Sequence, residues 1–307
     1  MTRLDADLGH IRAANPRRGI RSWTLISTRI FRVHWMLLIG AAIFSTIALT
    51  LLVTPWIAPF DPSSQNILKR LASPSAAHWF GTDQLGRDVF TRVLYGGRFS
   101  VAMAAITLIL CAVVGTIIGA ISARAGGAAD ELLMRLVDLL VAFPDVVIAL
   151  FLISVFGPGY GTLIVALTIT GWTPFARLMR GLTLEVNTKE YIEAAEALGC
   201  SRWFIIFRHI IPNTLGPIFA ISFLRFGHKL ITVGALSFLG LGVQPPNSDW
   251  GAMLADARNF MDRMPWLMIT PGLAVFITAL SVTLIGKGIE LERNRGRDEN
   301  ASSPYLK

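Results

Sequence analysis

Arg225, His228 and Lys229 stand three and four residues apart in a stretch that is otherwise mostly apolar from Pro217 to Leu236. On a helix that spacing puts all three on one face. Asp145 stands in another apolar stretch, directly after Phe143-Pro144. A charge at the centre of a bilayer costs roughly 3 kcal/mol or more, so such residues face a bundle interior, a water-filled path or a partner chain. The chemistry open to these four is electrostatic. Asp145 is expected to pair with Arg225 or Lys229. Two readings stand for the set: it lines a translocation path, or it is a buried pair that fixes helix packing. If the membrane helix starts later in this stretch, Arg225 is merely interfacial. Arg135 and Asp138 are three residues apart and read as a packing pair.

Bond-making chemistry is not written in the chain. It has no G-x-x-x-x-G-K-[ST] phosphate loop, and Gly286-Lys287-Gly288 does not make one. There is no H-E-x-x-H, no nucleophile elbow and no His/Cys cluster. Cys111 lies in an apolar run and Cys200 in a polar block, so both read as small packing residues rather than a disulfide. The expectation is a chain with no catalytic residue, no cofactor and no metal of its own.

The elements that must position the charges are membrane helices. Of 307 residues, 53% are hydrophobic and only 16% charged, against about 25% charged in soluble domains. About 20 mostly apolar residues cross a bilayer, and six runs qualify or nearly do: 35–55, 99–123, 132–156, 162–176, 217–236 and 266–289. The first is too long for a signal-peptide core and lacks a cleavage site after it, so it reads as a retained helix. The predicted fold class is an all-α integral membrane protein with six transmembrane helices.

Lys and Arg orient it. With the N-terminus inside, 19 of them fall on the cytoplasmic side and seven outside, which has the expected sign. Residues 1–34 are then a basic cytoplasmic segment with Arg12, Arg17, Arg18, Arg21, Arg29 and Arg32. Residues 56–98 form an extracytoplasmic loop and 99–289 a five-helix core. The tail from 290 to 307 is cytoplasmic. The net charge of +8 is explained by the membrane, not by nucleic acid.

Within that core, residues 177–216 form a cytoplasmic loop patterned like short helices. Asn187 is predicted to cap a helix over 190–198, with Glu190 completing a capping box. Gly199 suits a left-handed C-terminal cap. A second helix is predicted over 201–210, with Trp203, Phe207 and Ile210 on one face and Pro212 ending it. A compact helix carrying Ala194, Ala195 and Ala197 would fit a groove on a partner.

Glu193-Ala194-Ala195, Gly199 and Ile211-Pro212 resemble the E-A-A, Gly and Leu-Pro pattern of the loop found in permease subunits of ABC importers. Three further segments resemble the dipeptide, oligopeptide and nickel branch of that family. These are Phe80-Gly81-Thr82-Asp83-Gln84-Leu85-Gly86-Arg87-Asp88 with Arg92, then Met134-Arg135 with Asp138 and Ala142-Phe143-Pro144, then Leu236-Ser237-Phe238-Leu239-Gly240-Leu241-Gly242 with Asp249-Trp250-Gly251. The resemblance covers about residues 30–290. Near the C-terminus, Gly286-Lys287-Gly288 keeps the family's glycines but has Lys where Asp is usual.

The resemblance implies the type I permease fold with both termini cytoplasmic in a bacterial inner membrane. It implies half of a translocation pathway for di- or oligopeptides. The implied partners are a homologous second permease, two ATPase subunits that carry ATP and Mg, and an extracytoplasmic substrate-binding protein. Carried over residue by residue, the ATPase-coupling set is Tyr191, Glu193, Ala194, Ala195, Ala197, Leu198, Gly199, Trp203 and Pro212. A nickel or other small-solute importer is the alternative within the family. A self-contained secondary transporter is the alternative outside it.

Overall fold

The computed structural model describes residues 35–247 and 249–301, with side chains described as far as Arg293. The Arg-rich lead before Trp35 and the end of the basic tail lie outside the described residues. Among those described, every regular element is helical. Five helices are long and apolar enough to cross a membrane, and a sixth crossing is possible if one bent pair is counted as a single span.

The first helix, α1, runs Trp35–Leu52. α2, Val89–Ala125, begins ten residues ahead of its apolar run because Asp88 caps it, accepting from the Thr91 amide at 2.8 Å. Its first turns therefore belong to what the sequence reads as loop.

The third run is not one straight crossing. It forms α3, Gly127–Ala142, and α4, Asp145–Phe156, bent by 87°. Pro144 offers no amide hydrogen and holds Phe143 extended, so the helix cannot pass through.

α5, Tyr160–Gly171, and α6, Thr173–Asn187, meet at Trp172 and make one span of 28 residues. The expected loop start at 177 is thus still helix. The connection proper is Thr188–Ile210. It holds α7, Glu190–Ala197, and α8, Arg202–Ile205. α8 passes through a π turn, Ile206–Ile210, into α9, Ile211–Phe238. α10, Trp250–Ala257, is a short helix, and α11, Trp266–Ala301, is the last span.

α2 packs along α6 and α9, and α11 packs along α9. Glycines set the closest approach. A Cβ on Gly115 would lie 2.6 Å from the Phe175 Cβ, and one on Gly119 would lie 2.9 Å from the Met179 Cβ. Small residues at this spacing are a recurring device for close helix pairs in membranes. Near the other end of the chain, Gly286 abuts Leu224 of α9 and Gly288 abuts Leu37 of α1. That is a packing reason for both glycines, with Lys287 between them exposed. The buried core joins Leu108, Cys111, Phe175, Met179, Phe226 and Leu230. Both cysteines are free.

Candidate functional site

α7 stands out from the bundle on one buried edge. Ile192 is 1% exposed and Ala195 is also buried. Tyr191, Glu193, Ala194, Ala197, Leu198 and Gly199 are exposed, Leu198 at 84%. Of the nine residues expected to meet an ATPase, Ala195 therefore faces the bundle and packs α7 rather than presenting a surface. Gly199 has φ of +77°, the left-handed turn its position predicts, and its amide bonds the Glu196 carbonyl at 2.9 Å.

The cap of α7 differs from the expectation. Asn187 is the last residue of α6, and Lys189 occupies the N-cap without a side-chain bond. Asn187 is drawn away because its Oδ1 accepts from Arg124 Nη1 at 3.2 Å. Arg124 also pairs with Glu196 at 2.7 Å, so the end of α2 grips both α6 and α7.

The next helix differs too. The helix expected over 201–210 starts at Arg202, with Ser201 as its cap, accepting from the Phe204 amide. Pro212, however, does not end the helix. A proline lacks the donor for the preceding turn and crowds its carbonyl, and the wider π turn just before it relieves both problems. Pro212 lies exposed in the first turn of α9. The extra residue in the turn also shifts the helix face. Trp203 and Phe207 stack at 6.2 Å on the outside, while Ile205, Ile206 and Ile210 are buried. Asn213 Nδ2 donates to Tyr191 Oη at 3.4 Å, linking α9 back to α7.

Arg135 and Asp138 do not pair with each other. Arg135 pairs with Glu131 at 3.2 Å, and Asp138 accepts from Arg177 Nη2 of α6 at 2.6 Å. Asp130 takes both Nε and Nη2 of Arg180, at 2.7 and 2.6 Å. The two aspartates of α3 thus fasten it to α6.

Asp145 opens α4 just beyond the break. Its partner is His228, with Nε2 at 3.5 Å from Oδ2, not Arg225 or Lys229. α9 begins well before Arg225, so Arg225 is inside the helix and half-buried. Lys229 is 4% exposed, and its Nζ donates to the Leu167 carbonyl at 3.3 Å. It turns into the α5 interface, where Gly171 leaves room for it. The His228 side chain is 59% exposed and that of Asp145 33%. The four residues do gather, but on two sides of α9: Lys229 inward, His228 outward.

The segment before α2 folds against α10 through a second charged group. Asp83 accepts from Arg87 Nε at 2.7 Å and also from Arg92 Nη1. Both guanidiniums reach on to Asp256 of α10, at 3.4 and 3.2 Å. Beside them lies a cavity of about 500 Å³ lined by Gln84, Arg87, Arg92, Gln244 and Asp256. Asp249 caps α10 and accepts from Ser237 Oγ at 2.6 Å. Burial pushes its carboxyl above the usual range, against the hydrogen bonds from Ser237 and Ala252. Trp250 Nε1 bonds the Val93 carbonyl at 2.8 Å. The two segments quoted above around Asp83 and Asp249 are therefore neighbours in space.

Sequence reasoning missed Arg124 as a tether and Asp256 as the far arm of the charged group. Asp83 and Arg87 pair across the turn ahead of α2, not along a helix, so no helical spacing announced them. Nothing local pointed to Asp256, which is 164 residues beyond Arg92. Gly115-x-x-x-Gly119 was a visible signal for the α2–α6 contact.

Residues 115–291 match the family described as binding-protein-dependent transport system inner membrane component. Residues 23–74 match the N-terminal TM domain of oligopeptide transport permease C. A glutathione transport system permease protein of Pectobacterium atrosepticum is 38% identical over 268 residues, 87% of this chain and 89% of that one. A probable D,D-dipeptide transport system permease protein of Escherichia coli is 36% identical over 264 residues, 84% and 89% of the two chains. A dipeptide transport system permease protein of Alkalihalophilus pseudofirmus is 36% identical over 252 residues, 82% and 83%.

Proposed function

The chain belongs to the binding-protein-dependent transport system inner membrane components, and from that premise we propose that it is one of two permease subunits in an ABC importer for short peptides. The relatives named for glutathione, dipeptide and D,D-dipeptide transport support peptides as the substrate class. Hydrolysis of ATP belongs to two partner subunits that hold ATP and Mg. A homologous second permease completes the pathway, and an extracytoplasmic binding protein delivers the solute. The Lys/Arg bias supports cytoplasmic termini. The Thr188–Ile210 connection then faces the ATPases, and the Asp83–Asp256 end faces the binding protein.

The observation that carries the coupling role is the form of α7. It is a short helix with an exposed edge of Glu193, Ala194, Ala197 and Leu198, stopped by Gly199 and tied to α2 through Glu196. Closing of the ATPases moves α7 and α8, and α9 moves with them because the helix is continuous. In the membrane, Asp145, Arg225 and His228 line the pathway, with Lys229 bracing α9 against α5.

The test is ATP hydrolysis by the assembled complex in lipid, comparing the native chain with Glu193→Lys/Gly199→Trp. The expected result is loss of hydrolysis stimulated by loaded binding protein while the chain still inserts and assembles. Unchanged stimulation would reject α7 as the coupling element. Failure of any ATPase to co-purify would favour a self-contained transporter.

A further inference from the structure

The helix break at Phe143-Pro144 is exposed on this chain, and Asp145 and His228 beside it are partly exposed. Irregular backbone at membrane depth is tolerated only inside protein or against a water-filled cavity. Lipid therefore does not cover this surface.

The charges available there are one of each sign. Lys229 is withdrawn into the α5 interface. That leaves Asp145, in contact with His228, and Arg225. Arg225 stands one helical turn before His228, the partner of Asp145. Among the described residues, its guanidinium makes no hydrogen bond or close ion pair. The contact holding Asp145 is long at 3.5 Å, so an incoming donor displaces it at little cost.

Arg225 and His228 are one helical turn apart, about 4.5 Å along the axis. The helix positions that present Arg225 and His228, the partner of Asp145, are therefore spaced on the scale of a short peptide. Two residues of extended chain span at most about 7 Å.

Resting on the pathway reading above, we propose that Asp145 and Arg225 form a transit subsite for the zwitterion of a short peptide. Arg225 takes the terminal carboxylate, bidentate in the manner guanidinium favours. Asp145 leaves His228 and takes the terminal ammonium. A lone charge from a partner helix would satisfy one of the two and leave the other unmet. A zwitterion meets both and carries no net charge into the membrane. The binding is weak by design, since a solute that must leave again has to be held loosely.

The experiment uses the full permease–ATPase complex in nanodiscs without binding protein, with Cys200→Ser and His228→Cys. Modification of the new thiol by a water-soluble cationic thiosulfonate is timed with and without ATP and vanadate. Millimolar glycylglycine is expected to slow modification several-fold, and its N-acetylated amide is expected not to. Adding Arg225→Gln or Asp145→Asn should abolish that protection, and Arg225→Lys should keep part of it. Equal protection by both compounds, or by neither, would overturn the subsite and leave the pathway standing. No modification in any nucleotide state would show the face is dry, and both readings would fall.

Discussion

Arg124 and Glu196 meet at 2.7 Å, joining the last turn of α2 to the exposed edge of α7. The Arg124 side chain is nearly buried, and Asn187 holds a second of its nitrogens. Hydrogen bonds to charged groups contribute about 1.5–3 kcal/mol. Arg124→Met is expected to lower binding-protein-stimulated ATP hydrolysis several-fold without preventing insertion. Glu196→Gln keeps an acceptor and should cost less. Partners in one interaction are not additive, so the double variant should be little worse than Arg124→Met alone. Additive losses would show that the two residues act separately.

The glycines of α2 and α6 make a paired prediction. Gly119→Ala would drive a methyl into the Ala176 carbonyl and the Met179 Cβ. Overpacking of this kind costs about 1–3 kcal/mol. Gly181 has open space around the position of its missing Cβ. Gly181→Ala should be neutral or stabilise by about 0.5–1 kcal/mol through helix propensity. Thermal unfolding in detergent separates the two. Equal Tm values would refute the close α2–α6 packing.

The Asp83 group should respond unequally to its members. Arg92→Met leaves the buried Asp83 with Arg87 alone. Breaking a buried pair costs about 3–5 kcal/mol. Asp256 is 38% exposed at the cavity, so Asp256→Asn should cost about 1 kcal/mol or less. Melting of the purified chain at physiological salt gives the order. A larger drop for Asp256→Asn would reverse the assignment of which carboxylate anchors the group.

Asp249 gives a pH dependence. Its carboxyl is raised by burial, so the folded chain holds that proton more tightly than the unfolded one. The sign follows from linkage. The contribution of Asp249 to stability is fully present below the ordinary carboxylate pKa and is lost as pH rises through the raised value. Asn cannot ionise; its Oδ1 still accepts from the Ala252 amide, and its Nδ2, standing where Oδ2 was, donates to Ser237 Oγ instead of accepting from it. The difference in Tm between Asp249→Asn and the native chain should therefore grow in the variant's favour as pH rises from mildly acid to neutral. A difference independent of pH would mean that the carboxyl does not titrate there.

What the chain discloses locally, it discloses well. Long apolar runs locate α1, α2, α9 and α11, because a bilayer demands about 20 such residues regardless of neighbours. Gly199 reads correctly because a left-handed turn is a property of one residue. Pro144 marks a break for the same reason, though its angle depends on what packs around it. Most of the misreadings involve a choice among partners. Asn187 could cap α7 or bond Arg124, and only the fold brings Arg124 within reach. Asp138 had Arg135 on its own helix but took Arg177 from the next. Asp145 found His228 instead of Arg225 or Lys229. Pro212 would end an isolated helix, yet a π turn carries the chain through it, and this put Ile210 inside and Phe207 outside.

Because α8, the π turn and α9 form one uninterrupted helix from Arg202 to Phe238, the surface at Trp203 and the charges at Arg225 and His228 are held at fixed angles to one another around its axis. Each residue turns the helix by about 100°. One alanine inserted between Asn213 and Arg225 leaves the composition of both regions intact but swings one of them to a different compass bearing. Seven inserted residues come nearly full circle, about 20° short. An importer disabled by the single insertion and partly restored by the longer one would reveal a gear-like dependence on angle, set by the count of residues rather than by their identity.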